Sequence, residues 1–292
     1  HQKYYHPSNS YIYLYGNFDA EEYLTFLDEA YLADFEALPV DSQVGVQKPF
    51  ASPKELVKEY PVMEEDSVEE NTYLTYNVSM GNSLDPKLYV AMEVLDYVLC
   101  SAPGAPVKQA LIDKGIGKDV YSSMENGIYQ PYFAVVAKSA KESQKEEFVE
   151  TIRQVLAGAA KEGLDQKALA AAINYFEFKY READYGAYPK GLMLGLQALD
   201  SWLYDKERPF MHIEANETFK ELKKAIGTGY FEGLIRSWML ENPHKAYLTV
   251  RPVPGLTTQK DDAHARKLEA FKNTLSPEQI QEIVAQTAAL RA

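Results

Sequence analysis

The chain opens on a β-prone run, Tyr11-Ile12-Tyr13-Leu14-Tyr15, that stops at Gly16-Asn17 and gives way at once to a helix start. Asp19 stands three residues before Glu22, the spacing of a helix-opening pair. Behind it Tyr23, Leu24, Leu27, Tyr31 and Phe35 recur roughly every third or fourth residue and form one apolar stripe. The unit is a strand, a tight turn and a helix. Because the first residue is His1 and a strand begins almost immediately, this opening reads as the middle of a larger protein.

Similar signals continue along the chain. Residues 37 to 70, rich in Pro, Val and acidic side chains, form a connection containing a strand over Glu55–Val62 and a solvated turn at Glu64-Glu65-Asp66. From Asn71 to Met80 the alternation of Leu74, Tyr76, Val78 and Met80 with Tyr73, Thr75, Asn77 and Ser79 predicts a strand with one buried and one wet face. Asp85-Pro86 opens a helix running to about Leu99, and Ser101-Ala102-Pro103-Gly104 breaks it. A short helix, Ala105–Lys114, precedes two strands, Val120–Met124 and Tyr132–Val136, whose Glu125-Asn126-Gly127 connection carries a hairpin signal. A second strand-then-helix unit leads from Phe133–Ala137 into Glu146–Glu162, with Phe148, Ile152, Val155, Leu156 and Ala159 on one face. Helices then fill Asp165 to Lys206, interrupted near Asp184–Pro189, and a further helix over Phe219–Leu240 precedes a strand at Ala246–Val250. Strands and helices in this order predict an α+β fold, with a mainly antiparallel sheet covered by helices on one side. After Pro252-Val253-Pro254-Gly255 the sequence turns polar and helical, with a last helix opening at Ser276-Pro277. This divides the chain into a domain over 1–252 and a helical tail over 253–292.

The 292 residues are 46% hydrophobic, enough for a substantial core. A net charge of −13 argues against a nucleic-acid surface and permits attraction of basic ligands, although it is also sufficient simply to keep the chain soluble. Cys100, the single cysteine, lies on the stripe of Leu88, Met92, Leu95 and Leu99, which makes it a buried structural thiol and excludes an intramolecular disulfide. No run approaches the ~18 apolar residues of a membrane span, and no segment reads as a signal peptide.

Constellations that carry chemistry are missing. A zinc site of the zincin kind needs two His one helical turn apart with a Glu between or beside them. None of His1, His6, His212, His244 and His264 is so placed, and each reads as a loop, surface or strand-end residue. Gly115-Ile116-Gly117 lacks the spacing of a dinucleotide loop, there is no Walker A lysine, and no Ser sits in a nucleophile elbow. The sequence therefore assigns no catalytic residue and no metal ligand.

Tyr5-His6-Pro7-Ser8-Asn9 leading into Gly16-Asn17-Phe18-Asp19 resembles the stretch of pitrilysin/insulysin-type zinc metallopeptidases in which Tyr-x-Pro-x-Asn precedes a strand ending Gly-Asn/Asp-x-Asp, and it points to the presequence-protease branch. The resemblance implies one whole non-catalytic α/β-roll domain whose tail leads to the linker between two halves of a clam-shell enzyme. It further implies zinc in the parent enzyme but no cofactor in this chain, and it names peptide substrates and the remaining domains of the parent as partners, with no nucleic acid and no membrane. A cytoplasmic location is the expectation if the chain is bacterial. In insulysin-like relatives a Pro-Gly loop and a following strand anchor a substrate end as an added β-strand. The matching residues are Ala102, Pro103, Gly104 and Ala105 in the loop and Tyr121, Ser122, Ser123 and Met124 in the strand. Small side chains admit another backbone, and edge amides and carbonyls bond it without regard to sequence. The same residues also suit a plain helix-to-helix corner and an internally paired strand. The function that follows is that of chamber wall and possible substrate anchor in an enzyme that degrades unfolded peptides. The alternative is a stand-alone interaction domain or non-catalytic subunit of the same superfamily.

Overall fold

The computed structural model describes residue 1 and residues 3–291. Five strands, β1 (Lys54–Val62), β2 (Thr72–Ser79), β3 (Asp119–Glu125), β4 (Tyr132–Ala140) and β5 (Lys245–Pro254), form one sheet in the order β1-β5-β2-β4-β3. All pairings are antiparallel except β1 with β5, so the strand nearest the C-terminus is interior and β1 and β3 are the edges. A continuous ladder from Lys54 opposite Ala246 to Val62 opposite Pro254 extends β5 past the strand end expected at Val250.

Alternation in β2 sends Leu74, Tyr76 and Val78 into the core at 0–1% exposure, while Tyr73, Thr75, Asn77 and Ser79 are only half-buried on the opposite face. The buried face is roofed by helices. Asp85 caps α2 (Pro86–Asp96) by accepting from the Lys87 and Leu88 amides, and Pro86 occupies the first turn, where its missing N–H costs nothing. Seven residues of α2 are buried, which makes it the central helix of the layer. It runs into a π-helical turn, Tyr97–Ser101, and then α3 (Pro106–Asp113). Helices α4 (Lys145–Glu162) and α5 (Gln166–Glu182) present Phe148, Ile152 and Leu156, and Leu169, Ala172 and Ile173, to the same core. Tyr76 spans the two layers, its hydroxyl donating to the Met239 carbonyl at 2.9 Å. Gly117 has φ +74°, and a Cβ there would lie 2.8 Å from the Lys138 carbonyl oxygen, so only glycine lets α3 turn back so close to β4.

After α6 (Lys190–Trp202), the single helix expected over Phe219–Leu240 is two: α7 (Asn216–Ala225) and α8 (Tyr230–Leu234), the second continued by a π-helical turn over Ile235–Glu241. Gly227 and Gly229, both at positive φ, reverse the backbone between them. The Asn126-Gly127 pair does not close a tight hairpin either, because β3 ends at Glu125 and β4 begins only at Tyr132. Asn126 instead turns inward as a hydrogen-bond donor. The tail forms α9 (Leu256–Lys272) and α10 (Pro277–Arg291), with Leu256 the one buried residue in the two helices.

The opening unit departs most from expectation. Asp19 caps α1 (Ala20–Ala30) as its spacing requires, accepting from the Glu21 and Glu22 amides at 2.9 and 3.3 Å. The run Tyr11–Tyr15, however, is not a strand: it has no regular secondary structure, and among the described residues no backbone bond reaches residues 11–18. β-propensity alone does not make a strand, which exists only beside another strand.

Candidate functional site

The corner between α2 and α3 is shaped by its backbone. Within it the Ala102 amide donates to the Tyr97 carbonyl at 2.7 Å and the Ala105 amide to the Ala102 carbonyl at 2.9 Å. Gly104 supplies the positive φ of +73° that the turn demands, and nothing lies within 4 Å of where its Cβ would be. Pro103 and Gly104 are exposed, whereas Ala105 is buried and starts the next helix. Below the corner lies an open depression of about 650 Å³, walled by Tyr97 and the corner itself on one side and by Val155, Ala159 and Ala168 on the other. Its floor is small and apolar. Glu162 and Asp165 stand at its rim, Asp165 also capping α5 through the Lys167 and Ala168 amides.

Tyr121, Ser122, Ser123 and Met124 lie on β3, which is hydrogen-bonded to β4 alone and so forms an edge of the sheet. They do not line the depression. The strand and the turn before the corner do meet, the hydroxyls of Ser101 and Ser122 lying 3.3 Å apart. Ser122 therefore faces the helices, and Tyr121 points to the other side, where it is 45% exposed. Asp96 sits beside the same hydroxyls. Burial pushes its carboxyl upward while hydrogen bonds from Ser122 and Ser101 oppose the shift, and its Oδ1 has no partner. Cys100 is buried, and burial pushes its thiol up, as expected of an inert structural residue.

A second polar cluster escaped the sequence reading. Glu93 of α2 accepts from Asn126 at 2.9 Å and from the Tyr180 hydroxyl at 3.1 Å, while the Tyr89 hydroxyl one turn earlier donates to Asp200 of α6 at 2.7 Å. Burial, opposed in part by these bonds, holds the Glu93 carboxyl up at about 7, and Asp200 is raised for the same reason. His212 stacks on Tyr89 at 3.8 Å. It is buried rather than at the surface or a strand end, and desolvation lowers it to about 4, so it is neutral. The signal that was available is Glu93 itself, a carboxylate between Met92 and Val94 in an otherwise apolar helix. A charge there needs buried partners. These groups tie α2, α5, α6 and the β3–β4 loop together.

Among the described residues no group of three or more His, Cys, Asp or Glu could hold a metal ion, and no helix is long and apolar enough to cross a membrane.

The site thus sits on a five-stranded open sheet roofed by helices on one face. Residues 1–176 match the family model described as the peptidase M16 inactive domain, and the chain belongs to that family, the non-catalytic modules of pitrilysin-type metalloproteases. It is 39% identical over 284 residues to protein HypA of Clostridium perfringens, covering 97% of this chain and 29% of that protein. To presequence protease 1, chloroplastic/mitochondrial, of Arabidopsis thaliana it is 32% identical over 299 residues, covering 100% of this chain and 28% of that protein. The chain thus spans less than a third of the length of these relatives. Its fold is similar to the crystal structure of a peptidase M16 inactive domain from Pseudomonas fluorescens, with a TM-score of 0.54 at 14% identity over 80% of this chain and 51% of that one.

Proposed function

We propose that this domain forms part of the wall of a peptide-degrading chamber and anchors one end of an extended substrate along β3, beside the corner Ala102–Ala105. The zinc that cleaves the peptide belongs to another domain of the parent enzyme, and the remaining domains of that polypeptide complete the chamber. The observation that carries this reading is the position of β3 at the sheet edge, paired on one side only, with small residues next to it. An unpaired strand edge bonds any extended backbone, which suits substrates that share no sequence. The net charge of −13 and the rim carboxylates Glu162 and Asp165 favour basic peptides.

The test is a titration of the isolated chain with an extended basic peptide, followed by chemical-shift mapping. Without the rest of the chamber only part of the contact surface exists, so a Kd of roughly 10–100 µM is expected, equivalent to about 5.5–7 kcal/mol. Shifts should concentrate on Ala102–Ala105 and Tyr121–Met124. Shifts confined to another face would remove the anchor from the proposal.

A further inference from the structure

The opening unit has the chemistry of a sheet strand and its covering helix but none of their contacts. Residues 11–18 make no backbone bond among the described residues, and Ile12 and Leu14 are each about two-fifths exposed. α1 buries no residue, leaving Leu24 and Phe26 more than 60% exposed on an amphipathic helix. Exposed apolar surface of this density in a β-prone, unpaired segment marks an interaction surface. What contact exists is one-sided. Tyr13 and Tyr15 lie across Gly195 and Gly191 of α6, where a Cβ would come within 2.8 and 2.4 Å of their rings, and Tyr11 packs edge-on against Trp202 at 4.7 Å.

The chain also contains a finished unit of the same form. β5 ends at Pro254, Gly255 follows with a φ of +68°, and α9 begins at the next residue, just as Gly16 follows Tyr11–Tyr15 ahead of α1. β5 is not an edge; it is held between β1 and β2. We infer that Tyr11–Tyr15 and α1 are the strand and helix of a second sheet, contributed by another domain of the same longer polypeptide, and that the body built on β1–β5 begins near residue 50. The occupant of the open surface is thus the unpaired edge of that sheet, which supplies backbone partners to Tyr11–Tyr15 and an apolar face to α1.

Two observations favour this partner over a second copy of the chain. The matching region makes up only 29% and 28% of the two relatives, in which covalently linked polypeptide is therefore available to supply a sheet. Pairing of two copies through Tyr11–Tyr15 would make only a two-stranded ribbon, which is marginal in water.

Amide hydrogen exchange read by mass spectrometry, on the isolated chain and on the full-length parent protein, tests the inference. In the isolated chain the amides of residues 11–15 should exchange at close to the rate of an unstructured peptide. In the parent they should be slowed by about 100-fold or more, as for a paired strand. In parallel, a chain lacking residues 1–49 should unfold in one transition with a midpoint within about 2 °C of the intact chain, because no core residue is removed. The inference is overturned by exchange that is equally fast in the parent, by protection already present in the isolated chain, by protection that appears there only at high concentration and so reports a second copy, or by a shortened chain whose transition is much lower or lost.

Discussion

At Glu93 one side chain couples separate elements. It holds Asn126 and Tyr180 by hydrogen bonds from inside the helix layer, and Asp200 adds a second carboxyl nearby, repelling its charge. The consequence for stability has a definite sign. In the folded protein Glu93 keeps its proton up to about pH 7, whereas in the unfolded chain it releases it near the ordinary value of 4.5. Between these values the folded state binds more protons, so its contribution is complete below pH 4.5 and declines as pH rises through 7. Gln at this position stays neutral throughout. Urea unfolding of wild type and Glu93→Gln at pH 5 and pH 8.5 should therefore show the variant gaining on the wild type at the higher pH. The gain should be on the order of 2 kcal/mol, smaller than the whole shift implies because the side chain keeps some contact with solvent. A difference between the two proteins that is the same at both pH values would mean that Glu93 is ionised in the fold throughout. The groups facing it, Tyr89, Asp200, Tyr180 and the nearby Lys179, are common to both proteins and cancel in the comparison.

On the scale of elements, β3 decides whether an anchor exists. Successive residues of an edge strand alternate in direction, one amide pointing to its partner and the next to open solvent. Of Ser122 and Ser123, one therefore donates to β4 and the other outward. Proline removes the donor in either case, but on the outward side it leaves the ladder intact. Replacing each in turn should give one variant that is destabilised by about 2–3 kcal/mol and one that unfolds like the wild type. The second should lose the basic peptide, with Kd weakened at least tenfold by isothermal titration. Wild-type affinity in that well-folded variant would show that the outward amide is not used. The corner Ala102–Ala105 was legible as a break in the sequence from Pro103-Gly104, because no other pair ends a helix so firmly. Its neighbours in the depression, Val155, Ala159 and Ala168, come from α4 and α5, and nothing in their local sequence links them to the corner.

For the whole molecule, the layers divide the chain into a packed body and less covered extensions. We propose that the tail after β5 behaves as a separate helical segment, since α9 and α10 bury only Leu256. Limited trypsinolysis should cut first at Lys260, Arg266, Lys267 and Lys272 in α9 and at exposed Lys48, and should leave a fragment containing β1–β5; first cuts within residues 85–160 would contradict this division. The purified chain should also bind no stoichiometric zinc and cleave no peptide, as read by metal analysis after dialysis and a fluorogenic assay. One tightly held zinc per chain with chelator-sensitive cleavage would place a metal site here after all. The sequence alone determined several local features: caps at Asp19 and Asp85 accept the amides their spacing assigns them, and the alternation of β2 places its buried face. It also identified the family, through Tyr5–Asn9 and Gly16–Asp19, since motifs of that kind are contiguous. Only the tertiary structure decided that β5 is interior and β3 an edge, that Glu93 meets Tyr180 across 87 positions, and that Tyr11–Tyr15 lacks a partner strand. The physical reason is one of range: caps and alternation are settled within a few residues, whereas strand order and buried polar pairing depend on which distant segments meet, and that information is not carried in any one stretch of the chain.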